Sequence, residues 1–140
     1  MDSSLSLARE LLLARIAAFR QQNFAYIYDT AHPDSFFLRQ FPDRDAYLAF
    51  AAEQLADRIQ INSFEILREE LSDQQARIIF YQQLQIGANL QETVECGRLI
   101  LEDGVWLYHS SQKLLLDEFT GDLKQISFAD FDQAQDKIIF

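Results

Sequence analysis

Cysteine is almost missing from this chain: Cys96 stands alone among 140 residues. Disulfide frameworks and cysteine-based zinc sites both need several sulfurs brought together, so neither is available. Two prolines and four glycines exclude collagen-like, proline-rich and densely turned sandwich chains. Histidine is nearly as scarce. His32 and His109 show no HxH or HxxxH spacing, so no metal site and no cofactor is expected. GxGxxG, P-loop, GxSxG and HExxH motifs are absent. No apolar run approaches the roughly 18 residues that begin to suggest a membrane span. Asp2 stands where a signal peptide carries Lys or Arg, so a cytoplasmic location is the expectation.

Positive charge is also short, with 12 Lys and Arg against 22 Asp and Glu and a net charge of -10. Acidity is densest at the end, where residues 115–140 hold six acidic and two basic side chains. Nucleic-acid binding draws most of its affinity from cationic contacts with phosphate, and anionic membrane surfaces select the same way. Neither nucleic acid nor membrane is an expected partner.

What the chain does have is core material. Apolar residues make up 49% and aromatics 13%, chiefly 12 Phe and 5 Tyr, enough for one folded domain and too much for disorder. Leu5, Ala8, Leu12, Ile16 and Phe19 recur at helical steps with Leu13 and Ala17 widening the stripe, while Arg9, Glu10, Arg15, Arg20, Gln21 and Gln22 form the polar side. Asp2, Ser3 and Ser4 offer capping oxygens. Residues 23–30 add a second helical stretch that ends at His32-Pro33, because the residue before proline avoids helix. A further helix is expected over residues 43–59, capped by Asp43, with Tyr47, Phe50, Ala51 and Leu55 inward.

The pattern then changes period. Residues 59–70, 76–87, 90–102 and 105–114 read as strands with partial alternation, Ile78, Phe80, Leu84 and Ile86 sharing one face. Asp103-Gly104 is a hairpin signal, since both residues accept positive φ cheaply. Helices followed by consecutive strands describe an α+β domain, with N-terminal helices packed on a strongly curved antiparallel sheet. The division expected is a domain over residues 1–114 and an acidic extension over 115–140. In that extension Ser127 and Asp130 form a weak helix cap.

No single motif carries chemistry, but a constellation does. Tyr26, Tyr28, Asp29, Thr30 and His32 cluster where helix meets turn, Glu95 and Arg98 lie on one strand, and Trp106, Tyr108 and His109 on the next. His32 is the candidate base and Asp29 or Glu95 its orienting carboxylate. Tyr26, Tyr28, Glu95, Arg98, Trp106 and Tyr108 are candidate ligand contacts in a cavity between helices and sheet. Three strand steps put Glu95 and Arg98 on opposite faces, so at most one lines a given pocket.

Arg15-Ile-Ala-Ala-Phe19 through Tyr26 to Thr30-Ala-His32-Pro33 resembles the opening of the YchJ-type domain, with its Arg-x-x-Ala-Phe, Tyr and Thr-x-His-Pro. Ile79-Phe80, Glu95-Cys96-Gly97-Arg98-Leu99 and Gly104-Val105-Trp106-Leu107-Tyr108 follow the later Val-x-Phe, Glu-x-Ser-Arg-Phe and Gly-x-Trp-x-Tyr of the family. The resemblance covers roughly residues 13–110. It implies a nuclear transport factor-like cone: three helices packed into a bent antiparallel sheet around a cavity. Two departures stand out. The Cys-rich SEC-C segments that usually flank the domain are absent, and Ser-Arg-Phe reads Gly97-Arg98-Leu99. The family brings no established reaction, and cone folds host enzymes and binding domains alike.

Three functions therefore stay open: binding a small molecule or protein partner through the cavity, a hydro-lyase or isomerase with a His/carboxylate/Tyr pocket, and a structural homodimer with a filled cavity. A homodimer through the outer sheet face is expected, because half-apolar strands otherwise leave that face wet. Phe128, Phe131 and Ile138-Ile139-Phe140 are the rival cover for the same face.

Overall fold

The computed structural model describes residues 3–119, 121–131 and 136–137. Asp2 and Ile138-Ile139-Phe140, read above as a cap and a cover, lie outside the described residues. Four helices lead: α1 (Ser3–Arg20), α2 (Phe24–Asp29), α3 (Phe36–Gln40) and α4 (Arg44–Gln54). The resemblance implied three. The extra one, α3, is a short turn that Ser35 caps by accepting the Leu38 amide. Asp43 caps α4 through the Asp45 amide as expected, but the helix stops at Gln54. Residues 55–58 turn instead, because Ile59 enters the sheet opposite Ile86.

β1 (Ile59–Ser72), β2 (Gln75–Ile86), β3 (Asn89–Glu102) and β4 (Val105–Leu115) form an antiparallel meander, and β5 (Asp136–Lys137) adds a short edge pair to β4. The Asp103-Gly104 signal marks a real two-residue hairpin, with φ of 52° and 79° and Glu102 paired to Val105. Register shifts interrupt β1 between Ile61 and Ser63 and between Ile66 and Arg68. On β4 the shift makes His109 the extra residue, since Arg98 pairs with Ser110 while Leu99 pairs with Tyr108. Bulges raise local twist and bend a strand, which curves this sheet around α1.

One core lies between α1 and the concave face. Ala8 and Leu12 meet Ala76, Ile78, Phe80, Leu99, Trp106 and Tyr108. The α1 stripe differs from its sequence reading at three positions: Leu13 and Ala17 face out, and Arg15 faces in with 4% exposure. Arg15 stands three residues after Leu12 and four before Phe19, so helical geometry puts it on their face whatever its polarity. A second core gathers Phe24, Ile27, Phe37, Tyr47, Ala51 and Leu55 among the helices.

The convex face is covered by the chain itself. Ile126 and Phe131 are buried against Ile79, Val94 and Cys96, with Leu123 and Phe128 packed alongside. Arg68 Nε donates to the Ile126 carbonyl at 2.7 Å and Gln112 Nε2 to that of Phe131 at 2.9 Å. Arg77 stacks over Phe128 at 4.5 Å. Ser127 N donates to Asp130 Oδ2 at 2.8 Å, closing the expected cap on a 3-10 turn over Phe128–Phe131. The apolar surface that motivated a dimer through this face is thus occupied in cis.

Candidate functional site

Leu12, Arg15, Ile16 and Phe19 form one face of α1 and roof a cavity of about 150 Å³. Its floor is the concave sheet: Ile59 and Ile61 of β1, Phe80, Gln82 and Leu84 of β2, Gln91 and Glu95 of β3, and Tyr108 and Lys113 of β4. The lining is mainly apolar, with a few polar groups converging on it, the usual make-up of a small-molecule site.

Glu95 is wholly buried in the wall, and Gln82 Nε2 and Thr93 Oγ1 both donate to its Oε2, the latter at 3.0 Å. Its other oxygen has no hydrogen-bond partner among the described residues, nor do Gln82 Oε1 and Tyr108 Oη. Ser111 Oγ lies near Glu95 and Tyr108, favouring the ionised form of each, short of hydrogen-bond geometry with either. Burial pushes the Glu95 pKa up, opposed by the Lys113 charge and by the hydrogen bonds it accepts. Burial, and then the nearby Glu95, also raise the Tyr108 phenol above its ordinary value. Unsatisfied buried polar atoms each cost about 1–3 kcal/mol, so three in one wall call for a functional account.

Arg15 supplies the opposite charge. Its Nη1 donates to the Ile27 carbonyl at 2.8 Å and to Thr30 Oγ1 at 2.6 Å, and its guanidinium lies 4.6 Å from the Tyr108 ring centroid. Burial lowers its pKa to about 10, which leaves it cationic at neutral pH.

Of the residues singled out in sequence, Glu95 and Tyr108 line this cavity and the others do not. The stretch around His32 is stitched along β4: the His32 amide donates to the Tyr108 carbonyl at 2.8 Å and the Tyr108 amide to that of Thr30 at 2.9 Å. The His32 ring is buried beside His109, 5.4 Å between centroids. Its Nε2 lies 2.7 Å from Glu102 Oε2 and its Nδ1 accepts the Asp34 amide at 3.0 Å. Both ring nitrogens are therefore engaged away from the cavity, and the orienting carboxylate is Glu102, not Asp29 or Glu95. Asp29 pairs with Arg44 on the surface at 2.9 Å. Tyr28 stacks on Tyr47 and donates to the Phe41 carbonyl, while Tyr26 packs on the same helical core. Trp106 belongs to the core under α1. Arg98 lies on the convex side near Arg77, Cys96 and Ser110, with its Nη2 3.0 Å from His109 Nδ1.

Sequence reasoning missed Arg15, Gln82, Thr93 and Lys113. Arg15 was legible from its place between Leu12 and Phe19. Gln82 was legible from its place between Phe80 and Leu84. Lys113 was not, because strict alternation from Trp106 and Tyr108 points residues 110 and 112 inward. The His109 bulge reverses the phase, so Ser111 and Lys113 face Gly97 and Glu95 instead.

Among the described residues no group of three or more His, Cys, Asp and Glu is placed to hold a metal ion, and no helix is long and apolar enough to cross a membrane. Comparison with known proteins agrees with this geometry. The family model described as YchJ, middle NTF2-like domain matches residues 7–111. A SEC-C motif-containing protein from Rhodopseudomonas palustris superimposes with a TM-score of 0.58 at 19% identity, over 73% of this chain and 74% of that one. A domain from Exiguobacterium sibiricum, assigned to the Ca/calmodulin-dependent kinase II association type, gives 0.61 at 18% identity, over 84% and 96%. No curated protein matches. At such identities the likeness is one of fold.

Proposed function

This chain belongs to the YchJ middle NTF2-like domain family, and within that fold we propose that it binds a small, largely apolar molecule in the cavity between α1 and the sheet. One observation carries the reading: Glu95, Gln82 and Tyr108, with buried polar atoms that have no partner among the described residues, join Arg15 and Lys113 in the wall of a mainly apolar cavity. Polar groups gathered on a mainly apolar cavity are the usual make-up of a small-molecule site. A cavity of about 150 Å³ has the size that holds a benzene-like guest. The test is ligand-observed NMR with benzene-sized fragments on the full chain and on Ile16→Phe, which fills the cavity from α1. Fragments that bind the natural chain and not the filled variant support the reading. Equal binding to both, or none to either, overturns it.

A second reading is acid–base chemistry of the lyase or isomerase kind, and it rests on Glu95, not His32. Glu95 is the carboxyl in the cavity wall whose pKa burial raises, and Tyr108 stands on the adjoining strand. A buried carboxyl whose pKa is raised is suited to exchange a proton with a bound substrate. Glu95→Gln would then retain ligand affinity while abolishing turnover.

Self-association is the third possibility. A two-fold contact has to use a surface other than the part of the convex face under Leu123, Ile126, Phe128 and Phe131, or displace them from it.

A further inference from the structure

The cavity holds a buried cation that no carboxylate answers. Arg15 is 4% exposed, and its hydrogen bonds all leave from Nη1. A guanidinium carries five N–H hydrogens, so Nε and Nη2 keep three that no described residue takes. The groups whose charges favour its protonated form are the phenols of Tyr108, Tyr47 and Tyr26, with no Asp or Glu among them. The acid in the lining is Glu95, and its partner in charge is Lys113. Lys113 itself lines the same cavity. In a chain of net charge -10, this lining sets two cationic side chains, Arg15 and Lys113, against the one carboxyl of Glu95.

We propose that the ligand of this cavity is a small apolar monocarboxylate, its carboxylate gripped by the free edge of Arg15 and its body lying against Leu12, Ile16, Phe19 and Phe80. The proposal rests on the cavity-binding reading above and names the ligand class. A carboxylate matches the guanidinium fork with two parallel hydrogen bonds. Lys113 is paired across the strands with Glu95, so Arg15 is the cation left to a ligand, and the Leu, Ile and Phe part of the lining limits that ligand to one charged end. Phosphate or a dicarboxylate would bring further charged oxygens against Leu and Phe side chains and lose their hydration without return. The volume limits the body to about one ring or a branched chain of similar size. Arg15 lies over the Tyr108 ring, its guanidinium carbon 4.6 Å from the centroid, and both residues line the cavity.

Titration of the full chain with benzoate, benzyl alcohol and inorganic phosphate, followed by calorimetry and by the Arg15 Nε–H resonance in NMR, separates the outcomes. The expected result is benzoate binding at least about tenfold tighter than benzyl alcohol, since a charge-assisted bidentate contact is worth that much or more. The Arg15 Nε–H signal should move on benzoate addition, and Arg15→Gln should remove the preference for the acid. Because Arg15 also ties α2, that variant can lose its fold. The natural chain's Nε–H shift decides the matter in that case. Benzyl alcohol binding as tightly as benzoate overturns the carboxylate assignment and leaves the cavity reading standing. Phosphate binding as tightly as benzoate overturns it too, marking a general anion site. If neither aromatic compound binds at millimolar concentration, both the assignment and the cavity reading fall.

Discussion

The Tyr108 phenol lies directly over Gly97: a Cβ placed on residue 97 would stand 2.7 Å from Tyr108 Oη and 3.2 Å from two ring carbons. Arg15 lies over the same ring, 4.6 Å from its centroid. The ring meets a guanidinium and bare backbone, and glycine at 97 is what admits its phenol end.

Gly97→Ala should therefore destabilise the fold by about 1–3 kcal/mol, the usual cost of overpacking a closed site. Tyr108→Phe removes the atom in closest conflict, so the double variant should recover part of that loss. Urea unfolding of the two single variants and the double one measures the coupling. Strictly additive losses would show that Gly97 and Tyr108 do not interact.

Glu95 sets a pH dependence whose sign follows from burial. Its folded-state pKa lies above the ordinary carboxyl value, so the folded chain binds this proton more tightly than the unfolded chain. The contribution is complete below the unfolded value of about 4.3 and is lost as pH rises through the raised folded value. Glu95→Gln should flatten that decline and be the more stable protein at alkaline pH. Unfolding midpoints across a pH series test this, and parallel curves for the two proteins count against it.

The convex face predicts the behaviour of a shortened chain. Ending the protein after Leu115 uncovers Ile79, Val94 and Cys96, which Ile126 and Phe131 bury. The shortened chain should self-associate in light scattering and bind a hydrophobic dye, where the full chain does neither to the same degree. A monodisperse shortened chain of unchanged dye binding would mean the segment is not a cover.

His32 distinguishes a structural from a cavity role. His32→Gln breaks the contact with Glu102 and should cost about 0.5–1.5 kcal/mol, the range for one net hydrogen bond. Fragment binding in the cavity should not change. Asp29→Asn, on the surface, should leave both stability and binding nearly as they were. Loss of binding in either variant would bring the Tyr26–His32 stretch back into the site.

Much of the architecture was legible in residue order. Strand limits agree within about two residues, since the alternating runs are long and Asp103-Gly104 and Gly87 take positive φ at two of the turns. Helix ends were harder, because Leu55 to Arg58 keep helical composition while the demand that Ile59 pair with Ile86 ends the helix early. Of the candidate site, Glu95 and Tyr108 were legible, as residues of the family pattern that also line the cavity.

What the sequence alone determined is the set of faces: period and turn chemistry assign most side chains to an inside or an outside without any long-range contact. Tertiary structure decided which insides are the same place. Tyr26, Tyr28 and Trp106 went to packed cores and His32 to Glu102, because pairing of Thr30 and His32 with Tyr108 turns that stretch away from the cavity. One bulge at His109 brought Lys113 opposite Glu95. The α1 helix laid Arg15 over Tyr108, a meeting across 93 residues of chain that no local pattern encodes. Local periodicity governs the direction of a side chain, while its partners depend on register and on helix docking, which only the assembled chain defines.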